Sequence, residues 1–209
     1  TLVGGDGADT LQIGVNGNTQ TYNISETELR NKTSFGTIDL RGNTTNLTLS
    51  SDFVAAADTA NSIVVRTDKI IQTSDTDSAN SSTVLTNNGL ENVSTHTVNL
   101  TKLGSGQSVS FLGGSGSDRL ILSDATFNVL KTLDGGVYND STVRAAGADR
   151  YDTITVVTNG ENVVIDGQDL SNVKNFEGFT LTKNANAATY NVTLTQAFLT
   201  NNTQATDNT

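Results

Sequence analysis

Three turns rich in glycine and aspartate place carboxylates immediately before short apolar runs. Two copies are nearly complete, at residues 4–11 and 113–120, while a third begins at residue 133 and resumes at residue 147 after an insertion. Turns of this kind can aim backbone carbonyls and a carboxylate at a hard cation, and Ca²⁺ prefers such oxygen ligands. The turns therefore predict Ca²⁺ sites with the candidate ligands Asp6, Asp9, Asp118, Asp134, Asp149 and Asp152.

The spacing of the turns decides which of them could share a cation. Gly113 and Gly135 are 22 residues apart, which is about one circuit of a repetitive β protein. Gly4 has no comparable turn nearby, so its partner turn is expected upstream of Thr1. The alternative interpretation is that all of these are ordinary strand connections, because glycine supplies positive φ angles without any metal.

Other residues that could do chemistry are few. His96 is the only histidine, and a surface position is expected for it. The acid pairs Asp75/Asp77 and Asp166/Asp169 could supply the two carboxylates of a glycosidase. However, the chain has no tryptophan to stack on a sugar, and no acid stands in an apolar stretch that would raise its pKa. Catalysis is therefore not expected.

The composition of the chain limits the classes of partner that can be expected. A net charge of −10 and a pI near 4.3 disfavour nucleic acid and suit divalent cations. The absence of cysteine excludes disulfides, thiolate metal sites and a cysteine nucleophile. No apolar run approaches the roughly 18 residues of a membrane-spanning helix, so membrane insertion is not expected. Because the chain starts at Thr1 rather than at methionine, we interpret it as a segment of a larger protein.

β-Strands must position the candidate carboxylates. Proline is absent, so every interior residue can donate a hydrogen bond to a strand ladder. Short segments rich in β-branched residues predict strands at Thr10–Ile13, Thr37–Leu40, Asn46–Leu49, Ser62–Arg66, Thr97–Leu100, Ser108–Leu112, Arg119–Leu122, Thr153–Val157, Asn162–Ile165, Phe179–Leu181 and Tyr190–Leu194. Single helical turns are predicted within Ser25–Arg30, Ser51–Ala57 and Gln196–Leu199.

The predicted fold is all-β, a solenoid of the parallel β-helix or β-roll kind. Hydrophobic residues make up only 34% of the chain and aromatic residues 5%, which favours a thin core spread along a solenoid over a large central one. The alternative is a β-sandwich, or tandem sandwiches, of antiparallel strands. The dipeptides Asn16-Gly17 and Asn159-Gly160 favour this alternative, since Asn-Gly is a strong hairpin signal.

A long internal repeat relates the two ends of the chain. The segment beginning at Asp9 matches the one beginning at Asp152, and later landmarks keep an offset of 141 to 145 residues, as for Phe35 and Phe176. A partial middle copy begins near Gly89. We therefore expect one repetitive β domain over residues 1–209, with internal units at 1–57, 84–130 and 131–200.

The glycine–aspartate turns resemble the nonapeptide repeats of RTX proteins, G-G-x-G-x-D-x-aliphatic-x. Asp9 and Asp118 occupy the aspartate position of that pattern, and Leu11 and Leu120 its aliphatic position. The third copy departs from the pattern by its insertion. More widely, the segments Gly-Leu-Glu-Asn-Val and Asn-Phe-Glu-Gly-Phe are similar to repeating units of bacterial S-layer proteins and RTX adhesins. Their glutamates, Glu91 and Glu177, are interpreted as solvated turn residues, with a place in the metal sites as the alternative.

This resemblance implies a secreted protein of the cell surface that folds with Ca²⁺. The function expected first is that of a structural S-layer segment that assembles with neighbouring copies, with cell-surface polysaccharide as a further partner. The alternative is a Ca²⁺-dependent adhesin module that binds a host or cell-surface ligand. A polysaccharide-active enzyme on a β-helix is the third alternative.

Overall fold

The computed structural model describes residues 1–14, 20–40, 44–59, 61–67, 95–104, 106–114, 117–123, 126, 130–136, 152–158, 163–167, 169–183 and 189–202. Within these ranges the chain is predominantly β, as predicted, with parallel sheets and three short helices. The helices are α1 (Glu26–Leu29), α2 (Ser51–Ala55) and α3 (Gln196–Asn202), and each lies within or over a predicted helical turn. None of the helices in the described ranges has the length and apolar character needed to cross a membrane.

Two six-stranded sheets, called sheet I and sheet II, contain most of the strands. Sheet I has the order β14-β11-β9-β7-β5-β2, and sheet II has the order β15-β12-β10-β8-β6-β3. The strands of sheet I are β2 (Thr10–Ile13), β5 (Thr37–Leu40), β7 (Ser62–Thr67), β9 (Ser108–Leu112), β11 (Leu130–Asp134) and β14 (Val173–Lys174). The strands of sheet II are β3 (Tyr22–Ile24), β6 (Thr45–Ser50), β8 (Thr95–Lys102), β10 (Ser117–Ser123), β12 (Thr153–Thr158) and β15 (Gly178–Lys183). Two small sheets pair β1 (Leu2–Val3) with β4 (Lys32–Thr33), and β13 (Val163–Ile165) with β16 (Tyr190–Val192).

The chain passes from sheet I to sheet II and back, so that each circuit adds one strand to each sheet. Every pairing between strands of the described residues is parallel. The antiparallel pairing of the sandwich alternative is not observed among them. The hairpins predicted from the Asn-Gly dipeptides are wrong, because the flanking strands β2 and β3, and likewise β12 and β13, lie in different sheets. The dipeptides themselves lie outside the described residues.

The core lies between the sheets and is built from rows of side chains in register. Leu47, Val98, Leu120 and Ile154 are neighbours across four strands of sheet II, and each is at most 1% exposed. Burying such a side chain contributes roughly 1.5–3 kcal/mol. Phe111 of sheet I packs near Phe176, with the ring centroids 6.4 Å apart. Parallel stacking in register therefore lets a short strand contribute only two or three inward residues and still build a continuous core.

The internal repeat is also a structural repeat. Strands β1–β6 with α2, called the N-terminal unit, match strands β11–β16 with α3, called the C-terminal unit. Ser34 and Asn175 occupy equivalent turns and have positive φ angles of 59° and 58°. The amide of Ser34 donates to the carbonyl of Ala56 at 2.7 Å, and the amide of Asn175 donates to that of Asn201 at 2.9 Å. Strands β7–β10 lie between the two units along the sheets.

Candidate metal centre

One inward-facing row at the start of the sheet II strands is polar instead of apolar. The row runs through Thr45, His96 and Asp118, which are register neighbours on β6, β8 and β10. It continues through Asp152 and Glu177, which immediately precede β12 and β15. The first four are buried and Glu177 is half-buried. The next inward row is the apolar one through Val98 and Leu120, so the polar row closes the core at one edge.

Hydrogen bonds join the acidic members of this row from strand to strand. The Thr67 hydroxyl donates to Asp118 Oδ2 at 2.5 Å, and the Asp118 amide donates to Asp152 Oδ1 at 2.6 Å. The Asp152 amide in turn donates to Glu177 Oε2 at 2.7 Å. The carboxylates of Asp152 and Glu177 thus each accept the backbone amide of the preceding acidic residue in this row. Because neighbouring strands are about 4.8 Å apart, three carboxylates succeed one another at that spacing. We call Asp118, Asp152 and Glu177 the acidic row.

The acidic row strongly disfavours the charged form of its central member. Burial raises the pKa of Asp152, the negative charges of Asp118, Glu177 and Asp134 raise it further, and the hydrogen bond from the Asp118 amide lowers it. The result is a pKa of about 9 in place of the ordinary 3.8. Asp152 therefore holds a proton at neutral pH unless a cation compensates the neighbouring charges.

Asp134 lies beside the acidic row at the end of β11 and already has a compensating charge. Its Oδ2 atom lies 2.9 Å from Lys174 Nζ, and its Oδ1 atom accepts hydrogen bonds from Asn175 Nδ2 at 2.6 Å and the Gly136 amide at 3.1 Å. These contacts fix the turn that follows β11. Asp134 therefore has a structural role in this turn whether or not it also contacts a cation.

Glycine is required where the chain turns from sheet I to sheet II. A Cβ atom on Gly113 would lie 2.0 Å from the carbonyl oxygen of Gly135, and one on Gly135 would lie 2.0 Å from that of Asn175. The Gly113 amide donates to the carbonyl of Asp134 at 2.7 Å. The prediction that the turns at Gly113 and Gly135 stack one circuit apart is confirmed, and this stacking brings Asp118, Asp134 and Asp152 together.

The turn at residues 4–9 is a second acidic position, in the N-terminal unit. Asp6 is exposed, whereas Asp9 is half-buried and its Oδ2 atom is buried with no hydrogen-bond partner among the described residues. A Cβ atom on Gly4 would lie 1.9 Å from the carbonyl oxygen of Ser34. Among the described residues, Gly4 thus stacks on the turn at Ser34, which sequence spacing missed because this turn contains no aspartate. The expected partner turn upstream of Thr1 stays a prediction.

Several other sequence-based predictions are corrected by the structure. His96 is not on the surface but is 0% exposed, because it alternates with the inward residues Val98 and Leu100 on β8. That alternation was visible in the sequence. Glu177 is not a solvated turn residue but a member of the acidic row. Asp149, Glu91, Asp75 and Asp77 lie outside the described residues.

The second acid pair has a local structural role. The Asp166 amide donates to Asp169 Oδ2 at 2.9 Å, and the Asp169 amide donates to Asp166 Oδ1 at 3.2 Å. The equivalent turn of the N-terminal unit has a capping box, in which the Ser25 amide donates to Glu28 Oε2 at 2.8 Å. The pair therefore caps a turn.

The donor chemistry of the acidic row fits a hard cation in part. Its side-chain ligands would all be oxygens, and a carboxylate that accepts one hydrogen bond keeps further lone pairs for a metal. Within the described ranges, however, no three acidic, histidine or cysteine side chains converge closely enough to hold an ion by themselves. A cation here would need backbone carbonyls or water to complete its coordination. Comparison of the chain with protein-family models, curated proteins and solved structures finds no match.

Proposed function

We propose that this chain is a structural segment of a secreted surface protein, wound as a parallel β solenoid and stabilised by Ca²⁺ at the acidic row. The solenoid is supported by the alternation of successive strands between sheets I and II and by the parallel pairing of neighbouring strands in both sheets. A regular stack of this kind buries its apolar rows internally and presents long polar faces. Such a shape suits a scaffold or coat.

The observation that carries the Ca²⁺ proposal is the hydrogen-bonded acidic row itself. Asp118 lies on β10, Asp152 and Glu177 immediately precede the neighbouring strands β12 and β15, and Asp118 and Asp152 are at most 8% exposed. Like charges on directly neighbouring strands repel, and burial removes the water that would screen them. A divalent cation bound to any two of them would replace this repulsion with attraction. Binding free energy at such a site becomes folding free energy.

The proposed location outside the cell follows from the same need for a cation at the acidic row. Secretion would bring the chain from a calcium-poor compartment to a calcium-rich one, so the acidic row would be compensated only after export. The lack of cysteine agrees with stabilisation by ions instead of disulfides. The Ca²⁺-bound segment would then assemble with neighbouring copies on the cell surface.

A calcium titration of the chelated protein tests this proposal. We expect the thermal midpoint, followed by circular dichroism, to rise by roughly 5–10 °C when Ca²⁺ exceeds its dissociation constant about 100-fold, which corresponds to about 2.7 kcal/mol. The double variant Asp118→Asn/Asp152→Asn should lose this rise. Asp52→Asn, which removes one exposed carboxylate of α2, should keep it.

Two results would contradict the proposal in different ways. If the thermal midpoint of the wild type did not respond to millimolar Ca²⁺, the proposed stabilisation by Ca²⁺ would be wrong. If the midpoint rose but light scattering did not increase over a wide range of protein concentration, the proposed assembly of copies would be wrong. The adhesin alternative would then be tested by screening the folded monomer against glycans.

A further inference from the structure

Asp134 connects the acidic row to a lysine. Its Oδ2 atom lies 2.9 Å from Lys174 Nζ, and the two residues are direct partners in the register of β11 and β14. Asp134 is also close to Asp152, because a Cβ atom on Gly135, the next residue, would lie 3.0 Å from Asp152 Cβ. The negative charge of Asp134 is one of the causes that raise the pKa of Asp152. Asp134 therefore interacts both with the acidic row and with an ammonium group.

The two carboxylate oxygens of Asp134 have different partners. Oδ1 accepts hydrogen bonds from Asn175 Nδ2 at 2.6 Å and from the Gly136 amide at 3.1 Å. These neutral donors fix the carboxylate in its turn without supplying a charge. Oδ2 is held by the Lys174 ammonium, a point charge on a flexible stem that can withdraw without moving the backbone. Loss of the ammonium would thus leave the carboxylate in place, with one oxygen available to another cation.

Of the two repeated units, only the C-terminal one combines this ion pair with the acidic row. In the N-terminal unit the equivalent register partners of β1 and β4 are Val3 and Thr33, which carry no charge. That unit also has Gly36 where the acidic row has Glu177, and the amides of these two residues donate to equivalent aspartate carbonyls, each at 3.0 Å. The lysine therefore accompanies the crowded carboxylates and is missing from the unit that lacks them.

An ammonium group and a divalent cation compete for a shared carboxylate. A Ca²⁺ ion binds a carboxylate oxygen at about 2.4 Å, so an ion that shared Asp134 with the ammonium would lie roughly 6–7 Å from Lys174 Nζ. Even at the dielectric constant of water, the repulsion between the two cations at that separation weakens binding about five- to tenfold. The lysine thus opposes the binding of Ca²⁺ beside the acidic row.

We propose that Lys174 is an internal counter-cation that competes with Ca²⁺ for Asp134 and thereby lowers the Ca²⁺ affinity of the acidic row. In the metal-free protein, the ammonium compensates one of the charges that face Asp152. At a higher Ca²⁺ concentration the ion displaces the ammonium and gains Asp134 as a ligand. Lys174 therefore sets the concentration at which the site fills. This inference rests on the proposed function and concerns the regulation of the same site.

Isothermal titration of Ca²⁺ into EDTA-treated, desalted protein in about 20 mM KCl tests the competition. Lys174→Met removes the charge but keeps most of the stem, and we expect its Ca²⁺ affinity to exceed that of the wild type about five- to tenfold. Lys174→Arg keeps the charge and should bind as the wild type does. Lys183→Met, which removes the same charge at the far end of β15, is the matched control and should also leave the affinity unchanged. In about 0.5 M KCl the gain of Lys174→Met should shrink to about twofold or less, because salt screens the ammonium.

The sign of the change separates competition from a purely structural role. If Lys174 only fixed the turn after β11, Lys174→Met would misplace Asp134 and lower the Ca²⁺ affinity, and this result would overturn the proposal. An equal gain in Lys183→Met would overturn it as well, since net charge alone would then explain the effect. In an Asp134→Asn background, Lys174→Met should change the affinity by less than about twofold, because the carboxylate for which the two cations compete is gone.

The metal-free protein provides a second readout that does not depend on Ca²⁺. In EDTA at low salt, Lys174→Met should have a thermal midpoint about 1–3 °C below that of Lys183→Met, and equal midpoints would contradict the compensation of Asp134. Circular dichroism before each titration checks folding, and Lys174→Gln replaces a Lys174→Met protein that does not fold. If neither the wild type nor Lys174→Met takes up Ca²⁺, the proposed metal site is wrong and the competition with it. If the wild type takes up Ca²⁺ and Lys174→Met binds it no more tightly, only the competition is wrong.

Discussion

Replacing Asp152 by asparagine is expected to stabilise the metal-free protein at neutral pH. The folded state holds the Asp152 proton up to about pH 9, whereas an unfolded aspartate releases it near 3.8. Between these values the folded state binds more protons than the unfolded state, so stability falls as the pH rises, by up to about 1.4 kcal/mol per pH unit. The interval between the pKa of the unfolded state and pH 7 is about three pH units, so the free energy of unfolding falls by on the order of 4 kcal/mol over this interval.

Asparagine has nearly the same shape, and its Oδ1 atom can still accept the Asp118 amide, but it carries no charge. The difference in the free energy of unfolding between Asp152→Asn and the wild type should therefore be near zero at pH 4 and grow to on the order of 4 kcal/mol at pH 7. Urea unfolding in EDTA at several pH values measures this difference, with exposed Asp6→Asn as the control for removing one negative charge. A difference that does not change between pH 4 and pH 8 would refute the reasoning. In Ca²⁺ the wild type should instead be more stable than Asp152→Asn, because only the wild type retains the carboxylate that the cation would contact.

Three further substitutions test the packing that positions the acidic row. Gly113→Ala should lower the free energy of unfolding by about 1–3 kcal/mol, because its Cβ would lie 2.0 Å from a backbone carbonyl oxygen. Gly36→Ala is the control and should be tolerated, because its Cβ would have no neighbour closer than 3.7 Å. The thermal midpoints of the two variants test this difference. Thr67→Val should cost about 1–3 kcal/mol in urea unfolding, because Asp118 Oδ2 would lose a buried donor. Leu120→Ala should cost about 2–5 kcal/mol, and a loss below 1 kcal/mol would contradict the buried row.

The strands that carry two or three inward apolar residues could be predicted from the sequence. All eleven predicted strands are present, and Thr10–Ile13, Thr37–Leu40 and Ser108–Leu112 have the predicted ends. The strands that were missed, β1, β3, β4, β11 and β14, have two to five residues. A run of two residues has no alternation to detect, and its pairing depends on the neighbouring circuit instead of its own sequence. The direction of strand pairing likewise could not be derived from the local pattern, since parallel and antiparallel strands show the same alternation of apolar and polar residues.

The acidic row was only partly predictable for a related reason. Asp118 follows a glycine-rich turn, Asp152 follows the resumed motif that begins at Gly147, and both precede an apolar alternation. Glu177 has the same position in the register but lacks this signature, so only the stacking of β15 on β12 places it in the row. The reverse holds for Asp6, which belongs to a conspicuous turn but is exposed.

In-register parallel stacking explains why the carboxylates meet at all. When related circuits stack with the same register, a residue type favoured at one position recurs beside itself about 4.8 Å away. For apolar residues such as Leu120 and Ile154 this repetition builds the core, but for Asp118 and Asp152 it places like charges together. At an effective dielectric constant of about 20, two such charges repel by roughly 3–4 kcal/mol. The stack therefore needs a proton or a cation at this row, and the pH and the Ca²⁺ concentration determine which of the two it holds.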